Sequence, residues 1–211
     1  MIYEFRTYTT PIGMAPELAR LSAEIGRDVR KDDYGKLEGY WLTEIGPLNQ
    51  VMHLWSYPDL NARQELRAAL GQNPDWRNKY LSVALPLIKR QDIRLMHAVK
   101  PLTPPEGSGH VYEYRVYRCK VGMAKAWSEK LRDVLPAREK YSKNVAIWLT
   151  EAGQPNEVSH LWAYDSLNQR AEARAATMQD PEWRAFLKNG PEMLEEMQST
   201  VLMPWKHSPL Q

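Results

Sequence analysis

The chain is predicted to be α+β, two tandem ferredoxin-like domains packed sheet to sheet, and three observations carry that prediction. The stretch "NQVMHLWSY" at residues 49–57 returns as "NEVSHLWAY" at residues 156–164, 107 residues later. Each copy carries the periodicities of strand, helix, strand, strand, helix, strand, the order of a split βαβ unit. Between the copies lies "KPLTPPEGSG", Lys100–Gly109, a proline- and glycine-rich linker.

The repeat is dense. Trp41–Arg77 aligned with Trp148–Arg184 gives 22 identities in 37 positions without a gap. Upstream, "YEFRTYTTPIGM" from Tyr3 matches "YEYRVYRCKVGM" from Tyr112 at an offset of 109, so the first copy holds two extra residues between Met14 and Trp41. Two copies of about 100 residues are too few and too long for a solenoid and fit duplication of one domain. The expected organisation is a first domain over 1–99, a linker over 100–109 and a second domain over 110–211.

Within the first copy, Ile2–Thr9 alternates as a strand does, and "PIG" turns the chain into a helix over Met14–Lys31 with Leu18, Leu21 and Ile25 at helical spacing. Leu37–Ile45 reads as a second strand, and "GPLN" at Gly46–Asn49 returns it as a third, Gln50–Tyr57. Leu60–Leu70 is rich in helix formers. "NPDW" and "DPEW" place Asn73 or Asp180 at an N-cap with proline at the first helical position. A last strand around Asp92–Val99 completes the unit. The helices cover one face of the sheet, and the bare face of each copy is expected to dock on the other, an internal pseudo-dimer open to further homo-oligomerisation.

Composition excludes several function classes. Hydrophobic residues at 43% and charged residues at 26% suit a folded soluble domain rather than a disordered chain. The 28 basic residues are interspersed with 26 acidic ones, which argues against a nucleic-acid partner. Cys119 is the single cysteine, so no internal disulfide forms, and no apolar run has the length of a membrane span. The N-terminus lacks the pattern of a signal or transit peptide, and a cytoplasmic location is expected. No GxSxG, phosphate loop or GxGxxG is present, and the lone histidine of each NxxxHLW motif lacks a second ligand at metal spacing; no metal and no cofactor are expected.

Alternation assigns faces. Asn49, Val51, His53, Trp55 and Tyr57 point one way and Met52, Leu54 and Ser56 the other; in the second copy the sets are Asn156, Val158, His160, Trp162, Tyr164 and Ser159, Leu161, Ala163. The small apolar sets are expected to lie beneath the helices and the His–Trp–Tyr sets to face the space between the sheets. Glu4, Arg6 and Tyr8, with Glu113, Arg115 and Tyr117, are placed there too, because a charged pair below a helix would be costly. Trp41 and Trp148 read as core. The resulting candidate site in each half has an Arg for an anion or carbonyl, a His able to titrate near ~6.5, and aromatic walls for a flat ligand. The plain alternative is a filled seam in which the ion pair and aromatics only pack.

"YEFRTYTTPIGM", "GYWLTEIGPLNQVMHLWSYPDLNAR" and "NPDWRNKYL", each echoed in the second copy, resemble the NIPSNAP domain over nearly all of both copies. The resemblance implies the dimeric α/β-barrel superfamily, whose members include cofactor-free monooxygenases, haem-degrading enzymes and isomerases. It implies no single activity. Gln154-Pro155 in place of Pro47-Leu48 departs from the first copy at the second hairpin. Two functions are therefore expected as alternatives. One is a binding protein for a small, flat metabolite, with an anion as the natural partner of the arginines. The other is a cofactor-independent monooxygenase or isomerase acting on a small aromatic or carbonyl compound, in which His53 or His160 accepts a proton and Arg6 or Arg115 steadies a developing enolate.

Overall fold

A computed structural model describes residues 1–211, the side chain of Asn189 excepted. The chain divides into two compact units, Met1–Leu95 together with Met203–Gln211, and Met96–Leu202.

In the first unit β1 (Ile2–Thr9) leads to α1 (Ala15–Leu21), a π-helical turn (Ser22–Gly26) and α2 (Arg27–Arg30). The hairpin of β2 (Lys36–Ile45) and β3 (Gln50–Tyr57) is followed by α3 (Leu60–Gln72), a second π-helical turn (Trp76–Leu81), α4 (Ser82–Ala84) and β4 (Arg90–Lys100). β3 pairs antiparallel with β1 and with β2, which sets His53 between Arg6 and Tyr40. β4 begins alongside β1, where the Lys89 N–H donates to Thr9 O at 2.8 Å.

The second copy repeats the plan with β5 (Val111–Cys119), α5 (Ala124–Asp133), α6 (Leu135–Arg138), β6 (Lys143–Ala152), β7 (Glu157–Tyr164), α7 (Leu167–Thr177), α8 (Pro181–Asn189) and β8 (Leu194–Pro204), whose last two residues belong to the first unit. Its strands lie in the order β8, β5, β7, β6, with neighbours antiparallel. His160 stands between Arg115 and Ile147.

Local chemistry explains the helix starts. Asp59 accepts from the Ala62 N–H and Ser166 from the Gln169 N–H, each satisfying a donor the helix leaves open. Asp180 accepts from both Glu182 and Trp183. Two expected helices depart from regular α geometry: the one over Met14–Lys31 is interrupted by the π turn at Ser22–Gly26 and ends at Lys31 with φ of 48°, and the one that starts at Asn73 runs as the π turn Trp76–Leu81.

The assignment of faces is reversed. Val51 packs with Ala15, Leu18, Ala19 and Tyr80 of the helical layer, and Trp162 and Tyr164 pack with Trp127, Leu131 and Leu135. The His–Trp–Tyr sets therefore lie beneath their own helices, with Glu4, Arg6, Tyr8, Glu113, Arg115 and Tyr117 beside them. The opposite face carries Phe5, Met52 and Leu54, and Phe5 stacks on Trp41 at 6.1 Å with ring planes 4° apart. Alternation grouped the residues correctly. It misplaced the groups because the cost of a carboxylate under a helix was counted without the arginines that the helix itself supplies.

Asn49 and Asn156 occupy the last position of each hairpin turn in the left-handed region, with φ of 57° and 64°. Their side-chain oxygens accept from the Gly13 and Gly122 N–H at 2.8 and 2.9 Å, tying the hairpin tip to the turn before α1 or α5. Asn49→Ala should cost about 1–2 kcal/mol in urea unfolding, and Asn49→Gly less, because glycine restores the backbone conformation but not the tie. Equal losses for the two variants would show that the left-handed backbone contributes nothing.

Candidate functional site

Each unit encloses a cavity between its sheet and its helices, about 260 Å³ in the first and about 250 Å³ in the second. The first is lined by Arg6, Tyr8, Tyr40, His53 and Trp55 from the sheet and by Ser22, Arg30, Arg67, Trp76 and Tyr80 from the helical layer, with His207 arriving from the C-terminal segment. The second is lined by Arg115, Tyr117, His160, Trp162 and Tyr164, and by Trp127, Arg138, Arg174, Trp183 and Phe186. Both are large enough for one or two fused rings.

A carboxylate holds each site together. Glu4, fully buried, takes Arg6 Nη1 at 2.6 Å and is also bonded by Arg63 Nε and flanked by Arg67 at 3.5 Å, both from α3. Glu113 accepts from Arg170 Nη2 at 2.7 Å, Ser199 Oγ at 2.5 Å and Tyr164 Oη at 3.1 Å, with Arg115 and Arg174 at 3.6 Å. Burial alone would raise the Glu113 carboxyl, but the Arg170 hydrogen bond and the Arg115 charge overcome it and hold it down to about 2. Both glutamates are thus anions that orient arginines.

The histidines are held in one tautomer. Trp55 Nε1 donates to His53 Nδ1, and Trp162 Nε1 to His160 Nδ1, each at 2.6 Å. An indole N–H can only donate, so Nδ1 must be the unprotonated nitrogen and Nε2 carries the hydrogen. Protonating Nδ1 would set two donors against each other. Burial pushes both histidines far below the ordinary imidazole range, and Arg6, Arg30 and Arg67 add to this at His53, as Arg115 and Arg138 do at His160. His160 Nε2 is buried with no acceptor among the described residues. His53 and His160 are therefore neutral donors rather than titrating bases, which corrects the role expected from the sequence.

Two arginines escaped the sequence reading. Arg30 at the end of α2 and Arg138 at the end of α6 are each only 4% exposed, yet neither has a carboxylate within 4.0 Å among the described residues. Arg30 donates through Nη2 to Tyr57 Oη at 2.8 Å and Tyr34 O at 3.0 Å, and lies 3.3 Å above the Trp55 ring. Arg138 donates to Ser142 Oγ at 2.5 Å and Tyr164 Oη at 3.3 Å, 4.6 Å above Trp162. Burial lowers Arg30 to about 10, with Arg67 and Arg6 contributing. The pair is found at an offset of 108, between the 109 and 107 of its flanks, so neither alignment matched it. Arg63 and Arg67 repeat as Arg170 and Arg174 at 107, four residues apart on one helix face, and that signal was available.

Of the other expected residues, Arg6, Tyr8 and Trp55 and their counterparts Arg115, Tyr117 and Trp162 reach the cavities. Tyr57 and Tyr164 serve as hydrogen-bond partners of Arg30 and Arg138, and Tyr164 also lines its cavity. Glu4 and Glu113 lie behind the arginines, and Asn49 and Asn156 remain at the hairpin tips, outside the lining. Among the described residues no group of three His, Cys, Asp or Glu side chains could hold a metal, and no helix is long and apolar enough to cross a membrane.

The NIPSNAP family model matches residues 3–101 and 112–209. The chain belongs to the NIPSNAP family. Mouse protein NipSnap homolog 3B is 30% identical over 215 residues, covering 99% of this NIPSNAP chain and 85% of the mouse protein. Among solved structures, a candidate monooxygenase from Fusobacterium nucleatum matches with a TM-score of 0.71 at 11% identity, covering 97% of this chain and 92% of that one. An anthrone oxidase-like protein matches with a TM-score of 0.69 at 13% identity, covering 98% and 92%. At such identities the likeness is one of fold, α+β with antiparallel sheets in two repeated domains, as in dimeric α/β-barrel proteins.

The tautomer has a measurable consequence. An unfolded histidine takes up a proton near pH ~6.5, whereas folded His53 and His160 stay neutral well below it. The unfolded chain thus binds more protons as pH falls. The stability these residues contribute is full above pH ~6.5 and is lost below it, at up to ~1.4 kcal/mol per pH unit for each histidine. Glu113 acts with the same sign in a lower window, from the ordinary glutamate pKa of ~4.3 down to about 2. In urea unfolding between about pH 7 and pH 5, His160→Gln should flatten the slope by one histidine's share. An unchanged slope would mean that His160 is protonated in the fold.

Proposed function

We propose that each half of this NIPSNAP protein binds a small planar organic anion in the cavity between its sheet and helices. The observation that carries the reading is the buried, carboxylate-free guanidinium of Arg30 and Arg138 on a cavity wall. Each site gathers four arginines, Arg6, Arg30, Arg63 and Arg67 or Arg115, Arg138, Arg170 and Arg174, around one glutamate. That leaves three uncompensated positive charges per site among these groups. An enclosed positive excess favours an anion, since a guanidinium in low dielectric without a counterion is costly.

The walls define the rest of the ligand. Trp55 and Tyr8, or Trp162 and Tyr117, supply ring faces and edges around the histidine, so a flat ligand gains stacking as well as burial. The Nε2–H of His160 points the same reading toward an acceptor, because a buried donor without a partner is destabilising until something accepts from it. An aromatic carboxylate, phenolate or enolate meets all of these demands.

The monooxygenase-like fold of the structural neighbours makes chemistry on such an anion a second reading. Four arginines would favour the ionised form of a bound phenol or 1,3-dicarbonyl, so the ligand could be held as its anion without a protein base. His53 and His160 would donate to the anion rather than accept its proton. Turnover under this reading would survive His53→Gln in part, because glutamine also donates.

Titration calorimetry with benzoate and naphthoate tests the binding claim. Two sites are expected, and Arg30→Met or Arg138→Met should each remove one, weakening it by about 1.5–3 kcal/mol, the range for hydrogen bonds to charged groups. Destabilisation of the variants with no loss of binding would overturn the assignment, as would a natural chain that binds no planar carboxylate.

A further inference from the structure

The two cavities share their arginine frame and differ on the remaining wall. In the first, Tyr40 Oη donates to Ser22 Oγ at 2.8 Å and Ser22 Oγ bonds Tyr80 Oη at 2.7 Å. All three line the cavity and are buried. Three hydroxyls hold three protons, and the chain uses two of them for these bonds. One proton, on Ser22 or Tyr80, is left with no acceptor among the described residues. Gly26 makes the arrangement possible: a Cβ there would stand 2.9 Å from the Tyr80 ring, so only glycine lets the phenol lie against the helix.

The second cavity has none of these hydroxyls. The repeat puts Leu131 where Ser22 stands, Ile147 for Tyr40 and Leu187 for Tyr80, while Trp127 replaces Leu18 and Phe186 replaces Lys79. Trp127 lies 6.0 Å from the His160 ring, and Phe186 packs on Trp127 and Trp183 at 6.0 and 5.0 Å. A polar substituent placed there would lose its water without gaining a partner.

We infer that the two cavities sort planar anions by polarity. The first takes an aromatic carboxylate bearing a second oxygen substituent that meets the spare hydroxyl of the Tyr40–Ser22–Tyr80 chain, and the second takes one bearing an apolar substituent. The inference rests on the reading that each cavity binds a planar anion. Ser22 and Tyr80 are then specificity-determining in the first site, and Trp127 and Leu187 in the second.

The test compares 3- and 4-hydroxybenzoate with 3- and 4-methylbenzoate, near-isosteric pairs that differ in one polar group. Calorimetry on Arg138→Met reads the first cavity, and on Arg30→Met the second. The first should favour a hydroxybenzoate over its methyl partner by about tenfold, and the second should reverse the order. Adding Tyr40→Phe, Ser22→Ala and Tyr80→Phe to Arg138→Met removes every hydroxyl of the chain and should erase the hydroxyl preference. If either arginine variant fails to fold, the same three hydroxyl substitutions in the otherwise natural chain should weaken one of two hydroxybenzoate binding events about tenfold and spare the other. Equal preferences in both cavities, or an unchanged preference in the chain lacking all three hydroxyls, would overturn the sorting while leaving anion binding intact. A natural chain that binds none of the four benzoates would overturn both.

Discussion

The buried carboxylate of Glu4, and of Glu113 in the second half, is the constraint on which each site depends. A glutamate with no exposed surface is tolerable only if its oxygens are saturated, and the saturating groups come from two elements at once, the strand arginine and the helix arginines. One anion therefore docks the helix on the sheet and fixes the orientation of Arg6 or Arg115. Because it is outnumbered by the arginines around it, it also leaves the cavity positive. Removing it would leave several guanidinium groups crowded and unpaired, so the scaffold and the proposed ligand preference share one cause.

Much of the fold was legible because its signals are local or periodic. Strand alternation gave β1 and β3 to the residue, Asn73 and Asp180 marked the helix starts, and the repeat gave the two-domain plan. The family resemblance read from the motifs agrees with the family match across both copies. The orientation of the sheet faces was not legible. Alternation says which residues travel together and is silent on which group meets the helices, and deciding that required the α3 and α7 arginines as counter-charges. The chemistry of the histidines was hidden for a similar reason. His53 and Trp55 are two residues apart on one strand face, near enough for the indole to donate, but only the side-chain geometry shows that it does.

Arg30 and Arg138 illustrate a different blindness. Each lies at the end of a short helical segment in a stretch where the copies share little sequence, and neither has the company of a recognisable motif. Their importance is visible only as an imbalance: burial without a counter-charge, in two halves that otherwise diverge around them.

The π-helical turn at Ser22–Gly26 has a consequence for how such duplicated chains vary. An extra residue inserted into a regular α-helix would rotate everything beyond it by about 100°. The offset between the copies steps from 109 at Tyr8 and Tyr117 to 108 at Arg30 and Arg138, so one residue of the length difference falls in the segment that holds this turn. A wide turn absorbs a residue locally and restores the helical phase beyond it. The helix can thus change length while the arginine keeps its azimuth, and spatially equivalent positions in such repeats are matched better by anchoring the alignment on that arginine than by minimising gaps.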